Sequence, residues 1–79
     1  MTKVILPELG ENILKAIVSY WYFQEGETVQ EKDDLVEITT DKSTFNLPSP
    51  CSGIVREIFF REGDSVNIGE TLAVIEDKE

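Results

Sequence analysis

The chain has 79 residues, 41% of them apolar, with 16 acidic and 7 basic side chains, no histidine and a formal charge of −9. A chain this short buries only about 60% of its unfolded surface, which leaves little room for a deep enclosed active site; its apolar content is too high for a disordered acidic tail. The surplus of carboxylates argues against nucleic acid, whose phosphates need Lys and Arg, and against an anionic membrane surface.

In chain order, Lys3-Val4-Ile5-Leu6 reads as a short strand ended by Pro7. Glu8-Leu9-Gly10-Glu11-Asn12 is a loop by its Gly and Asn content. Ala16 to Phe23 is β-prone, rich in Ile, Val, Tyr, Trp and Phe. Gln24-Glu25-Gly26-Glu27 is a turn whose glycine supplies a positive φ. Val29 then re-enters the core, and Asp33-Asp34 lead into a strand over Leu35–Thr39. Thr40-Asp41-Lys42-Ser43 stands between two β-prone runs and reads as a hairpin tip. Its second arm, Thr44-Phe45-Asn46-Leu47, is stopped by Pro48-Ser49-Pro50. A strand over Gly53–Phe60, a turn at Arg61-Glu62-Gly63-Asp64, Val66 returning to the core and a strand over Thr71–Ile75 follow. Residues 27–37 lack a sustained apolar face at helical spacing, so no helix is expected. Glu76 to Glu79 is expected to begin a linker. The longest apolar stretches, Tyr20–Phe23 and Ile58–Phe60, are far too short to span a membrane. The start shows no basic region followed by an apolar run, so no signal peptide is expected.

The second half of the chain nearly repeats the first. Sliding by 37 positions lays residues 16–40 over 53–77 with 8 of 25 identical, among them Val18/Val55, Gly26/Gly63, Val29/Val66, Leu35/Leu72 and Ile38/Ile75. Unrelated segments share roughly one or two at ordinary residue frequencies. Two units are too few for a solenoid, so they are expected to close on each other around a pseudo-twofold axis. Both carry the pattern Ala16, Val18, Trp21, Phe23 and Gly53, Val55, Ile58, Phe60. The step of three from valine to the next apolar residue breaks the strand period of two, and a β-bulge at that point restores the facing. The expected architecture is all-β: one domain over residues 1–79, a flattened β-barrel or barrel-sandwich hybrid of two small, mainly four-stranded antiparallel sheets. Under that symmetry Lys42 and Glu79 end equivalent units and lie at opposite poles.

Few residues offer chemistry. Cys51 is the single cysteine, which excludes an internal disulfide, fits a reducing compartment and, without histidine, supplies no zinc set. It has no basic neighbour to lower its pKa and reads as an inert small residue. Trp21 aligns with Ile58 and reads as core. The carboxylates have no apolar pocket to tune them as acid and base. A lysine at a hairpin tip is by default a solvated charge, and Asp41 beside it a turn former. Yet Lys42 stands near the middle of a symmetric chain, at an exposed corner suited to attachment.

Set between symmetric β units, this tip resembles that of the lipoyl domain of 2-oxo acid dehydrogenase acyltransferases, in the biotinyl/lipoyl carrier domain family. The resemblance covers essentially the whole chain and is carried by Leu6-Pro7-Glu8-Leu9-Gly10-Glu11, Gln24-Glu25-Gly26-Glu27, Asp41-Lys42-Ser43, Pro48-Ser49-Pro50-Cys51-Ser52-Gly53 and Glu62-Gly63-Asp64-Ser65-Val66. It implies a non-catalytic swinging-arm carrier, part of a dihydrolipoyl acyltransferase, with lipoate joined covalently to Lys42 by a lipoate ligase or lipoyl transferase. It further implies acylation by a thiamine-dependent 2-oxo acid decarboxylating component, delivery to the acyltransferase core and reoxidation by dihydrolipoyl dehydrogenase, the cofactor supplying the chemistry. Asp41, Ser43 and the loop Glu8, Leu9, Gly10, Glu11 and Asn12 are the implied recognition residues. The implied location is the bacterial cytoplasm or the mitochondrial matrix. The tip departs from the family's frequent Glu-Thr-Asp-Lys-Ala in having Thr39 for Glu and Ser43 for Ala. A biotinyl carrier of a carboxylase shares the fold but typically sets Met on both sides of the lysine, where this chain has Asp41 and Ser43. An unmodified interaction module of the same fold is the third reading.

Overall fold

Strands form where β-branched and aromatic residues alternate with polar ones, and the computed structural model, which describes residues 1–77, contains eight of them and no helix. They are β1 (Thr2–Ile5), β2 (Lys15–Trp21), β3 (Thr28–Val29), β4 (Asp34–Thr39), β5 (Thr44–Pro48), β6 (Gly53–Ile58), β7 (Ser65–Asn67) and β8 (Thr71–Asp77). Two antiparallel four-stranded sheets result, in the orders β1-β8-β6-β3 and β5-β4-β2-β7. The expected all-β architecture of two small sheets is therefore what the chain forms. Its shape is elongated, 38 × 20 × 17 Å.

The two units clasp each other by exchanging their shortest strands. β3, from the first unit, pairs with β6 of the second, and β7 of the second pairs with β2 of the first. β1 completes the sheet of β6 and β8 as β5 completes that of β2 and β4, so the symmetry continues through the turns. Ser49 N–H donates to Asp33 O at 2.8 Å and Leu6 N–H to Glu70 O at 3.0 Å.

The three-residue step does mark a bulge. The register slips between Val18 and Tyr20 against β4, and between Val55 and Glu57 against β8, leaving Ser19 and Arg56 as the extra residues, one repeat apart. A second pair of slips, at Leu35 and Leu72, bends β4 and β8 against their outer neighbours. Extra residues raise local twist and turn both sheets around one core. That core is built from repeat partners: Val18 and Val55, Val29 and Val66, Leu35 and Leu72, and Ile38 and Ile75 are all sealed from solvent. Trp21 joins them, its indole N–H donating to Phe60 O at 2.9 Å, whereas its partner Ile58 is only half-buried.

Several strand ends differ from the sequence expectation. β2 ends at Trp21 and β6 at Ile58, because the chain turns away there to deliver β3 and β7 to the other sheet. Pro48 does not stop its strand; it is the last residue of β5, opposite Asp34. Glu76 and Asp77 begin no linker, since β8 carries them opposite Ile54 and Gly53; Lys78 and Glu79 lie outside the described residues.

Hydrogen bonds order the molecule along its length. Ile17 faces Thr39 and Ser65 near the hairpin. Val18 N–H then meets Asp64 O, Trp21 N–H meets Glu62, Ile58 N–H meets Glu25, and Val55 N–H meets Glu27 O. Gly53 and Asp77 come last. The Lys42 hairpin and Asp77 thus occupy opposite ends.

Candidate functional site

The β4–β5 hairpin turns through Asp41 and Lys42, neither of which has a positive φ. Two-residue hairpins prefer the mirror-image turns that need positive φ, so this tip requires another support. Thr40 provides it. Its N–H donates to Ser43 O at 2.8 Å and its hydroxyl donates to the same oxygen at 3.0 Å. The hydroxyl also accepts the N–H of Ser43 at 3.0 Å and of Lys42 at 3.2 Å. One side chain therefore fixes both backbone amides that carry the lysine, an arrangement typical of Ser and Thr at turns. Below it, hydroxyl contacts link Ser19 to Thr39 and Thr39 to Thr44 across three strands. Thr39, the departure from the family pattern, is engaged in this cross-strand contact.

Asp41, Lys42 and Ser43 are all exposed. No ion pair among the described residues involves Lys42. A primary amine on a fixed turn with open space around it suits a covalently carried group joined by an amide.

The loop after β1 leaves one sheet and runs to the lysine end, where Ile68 N–H donates to Leu14 O at 3.0 Å. Of the five loop residues singled out in the sequence, only Asn12 lines the same groove as Asp41. Glu8 and Glu11 are exposed, and Leu9 packs against the core as an anchor. Gly10 and Asn12 take positive φ, 145° and 67°, and Gly10 O accepts the N–H of Ile13 at 3.3 Å. The groove between this loop and the hairpin measures about 580 Å³ and is walled by residues 12–17 and by Thr39, Thr40 and Asp41. Sequence reasoning missed Thr40, Leu14 and Ile17. Ile17 is out of phase with the inward Ala16 and Val18, so its outward position was legible in the alternation; Leu14 shares their parity, and neither its exposure nor the closeness of both residues to the tip was.

The lone thiol lies at the far end. Cys51 Sγ donates to Asp77 Oδ1 at 3.0 Å, and Thr2 Oγ1 donates to the same oxygen at 2.5 Å. Partial burial, with the Asp77 hydrogen bond, pushes the Cys51 thiol up from its ordinary value, and these two donors hold Asp77 below its own.

Comparison with known proteins agrees with this geometry. The biotin/lipoyl family, described as "Biotin-requiring enzyme", matches residues 2–75. The dihydrolipoyllysine-residue succinyltransferase component of the 2-oxoglutarate dehydrogenase complex of Rickettsia bellii is 38% identical over 98% of this chain and 19% of its own length. The dihydrolipoyllysine-residue acetyltransferase component of the pyruvate dehydrogenase complex of Corynebacterium glutamicum is 38% identical over 94% of this chain and 11% of its own. The chain thus spans a fifth or less of these relatives. In three dimensions it is similar to the lipoyl domain of the 2-oxoglutarate dehydrogenase complex from Azotobacter vinelandii, with a TM-score of 0.81 and 30% identity over 98% of both chains. It shares its fold with 7% of a single-chain, multi-domain long-chain acyl-CoA carboxylase, at 19% identity and a TM-score of 0.77 over 98% of this chain. Matched along its length by the family and by a lipoyl domain, the chain belongs to the biotinyl/lipoyl attachment-domain family, in its lipoyl-domain group.

Proposed function

We propose that this chain is a lipoyl carrier, with lipoate joined as an amide to Lys42 Nζ, serving the active sites of a 2-oxo acid dehydrogenase complex. The observation that carries this reading is the exposed Lys42 amine on a turn whose amides Thr40 holds, at the end opposite Asp77. The lipoyl group, when bound, supplies a dithiolane that accepts acyl groups and electrons. The chain's own residues contribute position: Thr40 fixes the attachment point, and the hairpin holds it clear of the body of the domain. Asp41 and Ser43 flank the lysine as exposed polar groups without the paired methionines typical of biotin carriers, which supports lipoate over biotin. The acyltransferase relatives and the lipoyl-domain neighbour support the same choice. The partners read from this are a lipoate ligase or lipoyl transferase, a thiamine-dependent decarboxylating component, an acyltransferase core and dihydrolipoyl dehydrogenase. No residue of the chain is assigned a catalytic role.

The test is intact mass after incubation with lipoate, ATP and a lipoate ligase, followed by peptide mapping. One lipoyl group on Lys42 and on no other lysine is expected, taking the formal charge from −9 to −10. Lys42→Arg should stay unmodified and folded, because an exposed turn residue shifts stability by only about half a kcal/mol. Modification of another lysine, or exclusive loading by a biotin ligase, overturns the assignment.

A further inference from the structure

The two ends of the pseudo-symmetric barrel are not alike. At the lysine end, Leu14 is 77% exposed and Ile17 is 42% exposed, and both wall the groove that Thr40 and Asp41 complete. One repeat further on, the corresponding positions are Cys51 and Ile54. Cys51 is half-buried and hydrogen-bonded to Asp77, and Ile54 is half-buried in β6. The same fold therefore covers these positions at the end without a lysine and leaves them bare at the end with one. A single exposed leucine needs no explanation. Two apolar side chains left bare in one groove at the attachment end, where their repeat partners at the other end are half-buried, point to an apolar occupant.

We propose that this groove is a resting site for the lipoyl arm of the same chain, with Leu14 and Ile17 receiving the aliphatic chain and the dithiolane ring. The proposal rests on the reading of Lys42 as lipoyl-lysine. Three features favour the arm over other occupants. The groove wall includes Asp41, the residue before Lys42, so the arm begins at its rim. An extended lipoyl-lysine reaches on the order of 10–15 Å from its Cα by ordinary bond lengths, comparable to the dimension of a groove of this size. Its chemistry also matches: amide formation removes the lysine charge and leaves methylenes, one amide and an uncharged ring, which face Leu14 and Ile17 with the Asn12 side chain at the rim. No bond is made or broken in seating the arm. It leaves whenever a partner's active site holds it more tightly, so the groove shields the dithiolane between transfers.

The experiment uses the domain with and without lipoate, loading being verified first by intact mass. Methyl carbon–proton spectra of the two forms are compared. The expected result is a shift of the Leu14 and Ile17 methyls on lipoylation and none at Ile5, an exposed isoleucine on the other sheet. The second measurement is the rate at which a water-soluble phosphine reduces the loaded dithiolane, giving the dithiol and the phosphine oxide with oxygen from water. An arm seated about two-thirds of the time is reduced about threefold more slowly than free lipoamide. The double variant Leu14→Gln with Ile17→Thr should restore the free rate. The wild-type methyl shifts test the proposal even if that variant fails to fold. A loaded domain without these shifts, or with the free lipoamide rate, overturns the resting site and leaves the carrier reading intact. Shifts that occur only when a decarboxylating component is added overturn it as well, giving the groove to a protein partner. Failure of Lys42 to load overturns the carrier reading and the resting site together.

Discussion

Glu25 and Glu62, one repeat of 37 residues apart, each hold the end of the other unit's strand. The Glu25 carboxylate accepts the N–H of Ile58 at 2.8 Å, and the Glu62 carboxylate accepts the N–H of Trp21 at 3.2 Å. Those amides lie at the ends of β6 and β2, beyond the stretches that the short strands β3 and β7 flank, while β8 and β4 still pair along the other edge. Gly26 N–H and Gly63 N–H repeat the exchange one turn further on, donating to Val55 O and Val18 O, each at 2.7 Å. Each unit thus completes the hydrogen bonding of the other, and neither half is a folding unit by itself. The function proposed for Lys42 depends on this, because the hairpin is carried by β4, which pairs with β2.

Glycine is required at two positions for different reasons. Gly26 has a φ of 93° and open space where a Cβ would stand, whereas a Cβ on Gly53 would lie 2.0 Å from Glu76 O. Gly26→Ala should therefore cost about 1–2 kcal/mol through backbone conformation alone. Gly53→Ala forces β6 away from β8 and should cost more than about 4 kcal/mol, beyond what ordinary substitutions do. Urea unfolding of both variants checks the order.

Lys32 occupies the position that Gly69 holds in the second unit, with φ of 77° and 92° respectively. A lysine in this region carries a steric penalty of about 1–2 kcal/mol, offset in part by the extra chain entropy glycine loses on folding, about 0.5–1 kcal/mol. Lys32→Gly should raise stability by up to about 1 kcal/mol, read as a higher urea midpoint at unchanged slope.

Thr40→Val keeps the shape of the side chain and removes its oxygen. The N–H groups of Lys42 and Ser43 lose their acceptor. Because the tip is solvated, stability should fall only by about 0.5–1.5 kcal/mol. The clearer effects should be faster amide exchange at Lys42 and Ser43 and slower loading by the ligase, with Thr40→Ser restoring both. Unchanged exchange at those amides would show that the hydroxyl holds nothing.

Cys51 gives a pH signature. Its thiol titrates above the ordinary 9.0, first through burial and then through the Asp77 hydrogen bond. In the unfolded chain the thiol ionises first, so its contribution to stability is complete below pH 9 and is lost as pH rises through the native value. Asp77 has the opposite sign: its lowered pKa contributes stability above the ordinary 3.8, lost as pH falls through the native value. Iodoacetamide at pH 8 should react more slowly with native Cys51 than with the urea-unfolded chain. Cys51→Ser should lose the part of the alkaline decline that the thiol causes.

Much of the fold was legible in the chain. The repeat paired the core residues, and Val29 and Val66 stayed in register with it. The three-residue step marked the bulges at Ser19 and Arg56. Asp41-Lys42-Ser43 between two β-prone runs located the hairpin. The loop Glu8–Asn12 reads as a unit, but its residues do not act as one: Leu9 is an anchor, and Asn12 alone reaches the groove with Asp41.

The sequence by itself determined which side chains face inward and where the chain turns, because period-two alternation, glycine and proline act over a few neighbouring residues. Only the tertiary structure decided which sheet each short strand joins, since a strand of two or three residues carries no register of its own and its partner is chosen by the whole core. That choice sets β3 beside β6 and β7 beside β2. Long-range folding likewise brought residues 12–17 to the hairpin, where Leu14 and Ile17 stand bare in one groove with Asp41, while Asp77 accepts the Cys51 thiol's hydrogen bond at the other end. The sequence spacing is the same at both ends; the difference lies in what the chain lays against each.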